Sequence, residues 1–134
     1  MIVRDTNDSK ANGSFREKKG AWSSARFLLN SDQLGFTLTQ TTIAAGTRQT
    51  YEYKNHKEAN LIIEGPGNVT DETTNKVYEL KPGSMYTLDK HERHTVEAHT
   101  DMRLVCGGHR GGHRGQGSFT IFNSRSICLN CRGI

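Results

Sequence analysis

A long apolar segment is what this 134-residue sequence most clearly lacks. No run of apolar residues approaches the roughly 20 that a membrane-spanning helix needs. Residues 1–5 turn charged at once, so the chain does not open with the apolar block of a signal peptide. Hydrophobic residues make up 33% of the chain and aromatic residues 7%, enough for one modest core. We therefore expect a cytoplasmic, single-domain protein with no membrane partner.

Cysteine is scarce and odd in number: the chain has only Cys106, Cys128 and Cys131. In a chain without an export signal, this argues against a disulfide framework. Cys128 and Cys131 have the CxxC spacing of metal and redox sites, but no second CxxC or His pair completes a zinc site. The sequence therefore assigns these two cysteines no role.

Carboxylate side chains are absent from residues 107–134. The chain has 18 Lys and Arg and 14 Asp and Glu, and four of its arginines lie in this segment, so residues 1–106 carry no net charge. Glycine-rich residues 107–117 are costly to order. We expect a β-barrel over 1–106 and a divergent, Gly/Arg-rich tail over 107–134, flexible except for one strand at 118–122.

A basic tail raises the alternative of a protein that binds RNA or acidic surfaces. Four arginines without interleaved aromatic residues would bind RNA weakly and with strong salt dependence. Nucleic acid is therefore not the expected partner.

Short strands between turn signals dominate the chain after its first 25 residues. Residues 5–20 are polar and predict a loop or a weak helix, and no convincing helix follows. Gly- and Pro-containing turns are predicted at 45–47, 65–68 and 81–84. The predicted strands are 26–29, 35–43, 49–53, 61–63, 76–80, 85–88, 95–98 and 102–106. This rhythm predicts an all-β sandwich or barrel.

Two spaced motifs resemble those of the cupin superfamily. The first runs from Gly46 through Glu58 to Gly65, and the second from Lys81-Pro82-Gly83 to His94. The resemblance implies a jelly-roll barrel of two antiparallel sheets with a metal inside. The two usual histidines of the first motif are replaced here by Glu52 and Lys54, so a three-histidine, one-acid site is not expected.

Longer blocks around these motifs look like those of the ectoine synthase family. They are residues 1–4, 35–37, 44–47, 53–59, 82–94 and 102–106, in order and nearly without gaps. The resemblance implies a homodimer in which Glu58, Tyr86 and His94 bind iron (Fe²⁺), with other divalent metals as alternatives. Three protein ligands leave positions open for substrate.

The family reaction is a ring closure of N-γ-acetyl-2,4-diaminobutyrate to ectoine with loss of water. It requires a Lewis acid on the amide oxygen, a base for the α-ammonium group, and a curled substrate. Tyr53 and His56 match family residues near the site and are expected to transfer protons. Trp22, Arg26 and Thr41 are expected to bind substrate, with the Arg26 guanidinium gripping its carboxylate.

The resemblance ends after Cys106, where the family's acidic, His-containing closing tail has no counterpart. His109 and His113 lie in a glycine-rich context and are poor substitutes, and His91 and His99 are expected to be solvated. A shift of reading frame would also explain the sudden loss of acidic residues. An alternative function is therefore a cupin that binds metal and ligand but has lost turnover because its pocket stays open to water.

Overall fold

The structure, a computed structural model, describes residues 1–52, 56–88 and 93–110. In this part of the chain, helix α1 spans Thr6–Ala11 and a short 3-10 helix spans Asn30–Asp32. The remaining regular structure is β-strand, so the all-β prediction is confirmed. The strands are β1 (Arg16–Lys18), β2 (Trp22–Leu28), β3 (Thr37–Ile43), β4 (Arg48–Tyr51), β5 (His56–Glu64), β6 (Gly67–Asp71), β7 (Lys76–Leu80), β8 (Met85–Thr87), β9 (His94–Ala98) and β10 (Met102–Arg110).

These strands form two antiparallel sheets. The larger has six strands in the order β1-β2-β3-β10-β5-β8, and the smaller has four in the order β4-β9-β6-β7. Strands far apart in sequence are neighbours, since β10 lies between β3 and β5, and β9 lies between β4 and β6. The inner faces of both sheets contribute to one hydrophobic core.

Alternating burial shows which residues face this interior. Along β3 every second residue from Thr37 to Ile43 is buried, as expected for a strand with one face on a core. One end of the interior is mostly apolar and is called the apolar end, although the buried Thr41 shares a row with Leu104 and Ile62 there. Its apolar members are Ile43, Ile62, Val69, Val96, Ala98, Met102 and Leu104, each at most 5% exposed.

Glycine is required where β6 crosses the apolar end. Gly67 pairs with Ala98, and a Cβ atom at Gly67 would collide with the Met102 sulfur and the Glu97 carbonyl oxygen. Gly65 adopts a φ of 84°, which favours glycine, and a Cβ there would collide with the backbone of Asp101. The predicted 65–68 turn is therefore shorter than expected, since β6 begins at Gly67.

The strands differ from the sequence prediction at several points. β2 begins at Trp22 and β5 at His56, four and five residues before their predicted starts at 26 and 61. β1 and β6 were not predicted, because β1 has three residues and β6 opens with the turn-forming pair Gly67-Asn68. Strand β10 does not end at Cys106 but continues to Arg110. Its two glycines, Gly107 and Gly108, are ordered by pairing with β3 on one side and β5 on the other. The predicted strand at 118–122 lies outside the described residues.

The polar N-terminal segment forms hydrogen bonds to the backbone of β2. Asp5 caps α1 by accepting a hydrogen bond from the Asp8 amide. Ser9 and Ser14 are both buried, and their hydroxyls meet the backbone of Arg26: the Arg26 amide donates to Ser9 Oγ at 3.1 Å, and Ser14 Oγ donates to the Arg26 carbonyl at 3.1 Å. β1 stops short of this point, so the two serines complete the hydrogen bonding of β2 where the strand carries Arg26.

Candidate functional site

The other end of the interior is lined by polar side chains and is called the polar end. Strand register places five inward residues side by side across the six-stranded sheet, in the order Arg26, Thr39, Cys106, Asn60 and Tyr86. Directly opposed residues have Cβ atoms about 4.5–5.5 Å apart. Glu58 lies one inward position beyond Asn60 on β5 and is 3% exposed. The four-stranded sheet adds Tyr51 and His94, which oppose each other in β4 and β9.

The three predicted metal ligands face this same polar end. Glu58 lies on β5, Tyr86 on the adjacent β8, and His94 on β9 of the opposite sheet. The rings of Tyr86 and His94 meet edge to face with centroids 6.0 Å apart. His94 is fully buried, and Glu58 acts electrostatically on Tyr86. The structure therefore brings a carboxylate, a phenol and an imidazole into one buried space.

Burial dominates the electrostatics of the two site tyrosines. Desolvation raises the pKa of Tyr86 well above its usual value, and the negative charges of Cys106 and Glu58 raise it further. Desolvation and the Glu58 carboxylate likewise raise the pKa of Tyr51. Both phenols are thus neutral unless a cation offsets this environment, and a bound divalent cation is the kind of charge that would do so.

Arg26 supplies the positive charge of the polar end. Its side chain is 2% exposed, and its backbone is held by Ser9 and Ser14. Burial lowers the pKa of Arg26 to about 10, assisted by the charge of Arg16 and opposed by Glu58. The guanidinium remains protonated at neutral pH, and a buried cation of this kind favours an anionic ligand.

The two other predicted substrate contacts lie deeper in the interior. Thr41 is fully buried in the next inward row, where its hydroxyl donates to Ser24 Oγ at 3.3 Å. Trp22 pairs with Ile43, a further row away, and packs against the apolar core. Four residues of strand separate Trp22 from Arg26, a rise of roughly 13 Å. The structure therefore does not bring Trp22 and Arg26 together, and their joint role stays a prediction.

The predicted proton-transfer residues are not placed by the described side chains. Tyr53 lies outside the described residues, as do His91 and His113, and of His56 only the backbone is described, paired with Arg110. His99 is exposed, as predicted, and His109 is exposed as well but lies in strand β10 rather than in a flexible segment. Within the described ranges no group of three His, Cys, Asp or Glu side chains forms a metal site. Of the three predicted metal ligands, only Glu58 and His94 are of these residue types, and Tyr86 is not.

A cleft of about 430 Å³ opens between β7, β8 and β9 onto this space. Tyr86 and His94 form part of its wall, together with the apolar side chains of Leu80 and Leu88 and the half-exposed ring of Tyr78. The cleft connects two of the predicted ligands with the surface and is large enough for a small-molecule substrate.

Sequence reasoning missed four residues of the polar end: Thr39, Tyr51, Asn60 and Cys106. Thr39 and Asn60 could have been found from the alternation of β3 and from their even spacing to Thr41 and Glu58. Tyr51 carries no such signal, because its proximity to His94, with ring centroids 5.6 Å apart, depends on the pairing of β4 with β9.

Comparisons with known proteins agree with this geometry. A protein-family model described as ectoine synthase matches residues 1–110. The L-ectoine synthase of Rhodococcus jostii is 45% identical over 107 residues, which cover 79% of this chain and 81% of that protein. The crystal structure of ectoine synthase from P. lautus superposes with a TM-score of 0.76 at 38% identity, covering 84% of this chain and 80% of that one.

A more distant structure supports the fold alone. The Cnp3 cupin domain of Schizosaccharomyces pombe is 12% identical and superposes with a TM-score of 0.59 over 72% of this chain and 67% of that one. The predicted cupin-type barrel is thereby confirmed. Among the described residues, no helix is long and apolar enough to cross a membrane.

Proposed function

Because the chain belongs to the ectoine synthase family, we propose that it converts N-γ-acetyl-2,4-diaminobutyrate to ectoine and water as a carbon–oxygen lyase. The substrate α-amine attacks the carbonyl carbon of the acetamido group, and the carbonyl oxygen leaves as water. The observation that supports this proposal most is the match of the ectoine synthase family model to residues 1–110, which include every strand of the barrel.

We propose that Glu58, Tyr86 and His94 hold a divalent metal ion, with Fe²⁺ as the first candidate. The donor set suits such an ion, because carboxylate, phenolate and imidazole groups are all ligands for iron and the three side chains share one interior. When bound, the metal supplies Lewis acidity for an amide carbonyl, which is a poor electrophile.

The remaining side chains bind and orient the substrate. Arg26 is placed to bind the substrate carboxylate, since it is a buried cation held at its backbone by two serines. The α-ammonium group must lose a proton before it attacks, and Tyr53 and His56 are the candidates for that transfer. Thr41 and Trp22 are proposed to close the inner wall of the pocket.

Turnover by the purified chain tests this function. The chain is loaded anaerobically with Fe(II) and given N-γ-acetyl-2,4-diaminobutyrate, and the cyclic product is followed by NMR. We expect iron-dependent ectoine formation, which Tyr86→Phe abolishes and Glu64→Gln preserves, because Glu64 is an exposed residue on β5. Product formation that is equal with and without iron, or equal in both variants, would contradict the proposed metal site.

The same assay separates the alternative, a cupin that binds metal and ligand without turnover. Residues 107–134 differ from the family's closing tail, and an open pocket admits water. Iron bound at one ion per chain, together with substrate binding but no product, would establish that alternative.

We further propose that the protein is a cytoplasmic homodimer. An outward apolar patch on the six-stranded sheet supports a second copy as partner; it includes Leu61 and Met85, which are paired across β5 and β8, and Ile63. Light scattering at micromolar concentration is expected to give twice the mass of the 15.0 kDa chain.

A further inference from the structure

Asn60 is a buried amide at the centre of the polar end. It lies on β5 between the inward residues Glu58 and Ile62 and is 1% exposed. Among the residues that the structure describes, no acceptor lies within hydrogen-bond distance of its Nδ2 atom. Burying an amide donor without an acceptor is unfavourable, and native proteins rarely leave one in this state.

Nothing in the packing of β5 demands an amide at this position. The next inward residue, Ile62, shows that the same face of the strand accommodates an apolar side chain. The neighbours of Asn60 across the sheet are Cys106 on β10 and Tyr86 on β8. Since the described residues supply no partner for Nδ2, a molecule that enters the polar end is the expected acceptor.

We propose that Asn60 is a substrate-binding residue whose Nδ2 donates a hydrogen bond to the acetamido oxygen of the substrate. This inference rests on the proposed function. Arg26 and Asn60 lie in one inward row with two strands between them. A substrate whose carboxylate binds Arg26 extends its acetamido group towards Asn60 and Tyr86.

The chemistry of the ring closure gives this contact a purpose. The acetamido oxygen gains negative charge as the amine attacks, and a neutral donor aimed at that oxygen stabilises the transition state more than the ground state. Asn60 thus favours a substrate whose acetamido oxygen reaches Nδ2 while its carboxylate binds Arg26.

The test replaces Asn60 by leucine, which has nearly the same shape and no donor. For Asn60→Leu we expect kcat/KM to fall about 100-fold, mostly through kcat. We also expect the ligand-free Tm to rise by about 4 °C, because an unsatisfied buried donor is removed. Asn30→Leu is the matched control, since Asn30 Nδ2 is also buried without an acceptor but lies in the 3-10 helix outside the interior. Its kcat/KM should stay within about twofold of wild type.

Two results would overturn the role of Asn60. One is a lower ligand-free Tm for Asn60→Leu with kcat/KM unchanged, which would mark a purely structural amide. The other is an equal loss of kcat/KM in Asn30→Leu. Failure of the proposed function has a different signature, namely no product from the wild-type chain. In that case substrate binding is measured as the rise in Tm on adding N-γ-acetyl-2,4-diaminobutyrate. Loss of this rise in Asn60→Leu but not in Asn30→Leu supports the role of Asn60. Retention of the rise in Asn60→Leu refutes that role.

Discussion

The two ends of the barrel interior are built by the same strands and differ in what they bury. β9 carries His94 at the polar end and then Val96 and Ala98 at the apolar end. β5 likewise passes from Glu58 and Asn60 to Ile62. A shift of two to four residues along one strand therefore changes the interior from closely packed hydrocarbon to a cluster of charged and polar groups.

This difference separates stability from function. Burying apolar surface is favourable by about 25 cal/mol per Å², so the apolar end stabilises the fold. Burying a guanidinium, a carboxylate and an unsatisfied amide opposes folding unless each finds a partner. The polar end is thus expected to reduce stability and to provide binding sites. Substitutions at the apolar end should therefore mainly change stability, and substitutions at the polar end should mainly change substrate or metal binding.

Met102→Ala is expected to give the largest change in stability. Met102 is fully buried at the apolar end against Gly67, so truncation leaves a cavity and should lower the free energy of unfolding by about 2–5 kcal/mol. Urea unfolding measures this loss, and kcat per folded molecule should be unchanged. Val3→Ala, at a position that is 83% exposed, is the control and should change stability by less than about 0.5 kcal/mol. Equal effects of the two variants would break the comparison.

Arg26→Met should show the opposite signature at the polar end. Methionine retains much of the side-chain volume, and the contacts of Ser9 and Ser14 are with the Arg26 backbone, so the variant should stay folded by circular dichroism. The KM for N-γ-acetyl-2,4-diaminobutyrate should rise at least about tenfold, because the carboxylate loses a bidentate partner. Arg48→Met changes an exposed arginine on β4 and should leave KM unaltered. A large loss of stability in Arg26→Met with normal KM would assign this residue to the fold instead.

Asp32→Asn should have the smallest effect, present above about pH 4 and absent near pH 2. Asp32 accepts two hydrogen bonds from Arg4, which also donates to the Phe27 carbonyl beside Arg26. The hydrogen bond from Arg4 lowers the pKa of Asp32 to about 2 from 3.8. A lowered carboxyl pKa gives stability that is present above pH 4 and lost as the pH falls through 2. The Tm of Asp32→Asn should therefore lie below that of wild type above pH 4 and approach it as the pH falls to 2, whereas Glu17→Gln, on exposed β1, should follow the wild-type Tm throughout.

The sequence predicted strands best where local alternation marks them and worst where contacts distant in sequence decide. The alternating segment Lys76–Leu80 became β7 with the same bounds, because its period of two is unambiguous. β6 was missed since Gly67 resembles a turn residue, while its real constraint is contact with Met102, a residue distant in sequence. Long-range packing of this kind leaves no local pattern.

Some residues of the candidate site could likewise be predicted from the sequence, and others could not. Family-like blocks led to Glu58, Tyr86 and His94, which the structure gathers in one interior. The residues that surround them, such as Tyr51, depend on strand pairing between sheets. The support of Arg26 by Ser9 and Ser14 was equally invisible, because a polar segment predicts a loop and does not show what its hydroxyls contact.

The iron content of Glu58→Gln tests the central claim, that the polar end is a metal site, most directly. Glu64→Gln is the matched control, because it makes the same change on the same strand at an exposed residue whose ion pair with Arg103 contributes little. After anaerobic loading with Fe(II) and desalting, we expect about one iron per chain in the wild type and in Glu64→Gln, and almost none in Glu58→Gln, with all three folded by circular dichroism. Retention of one iron per chain by Glu58→Gln would contradict the account.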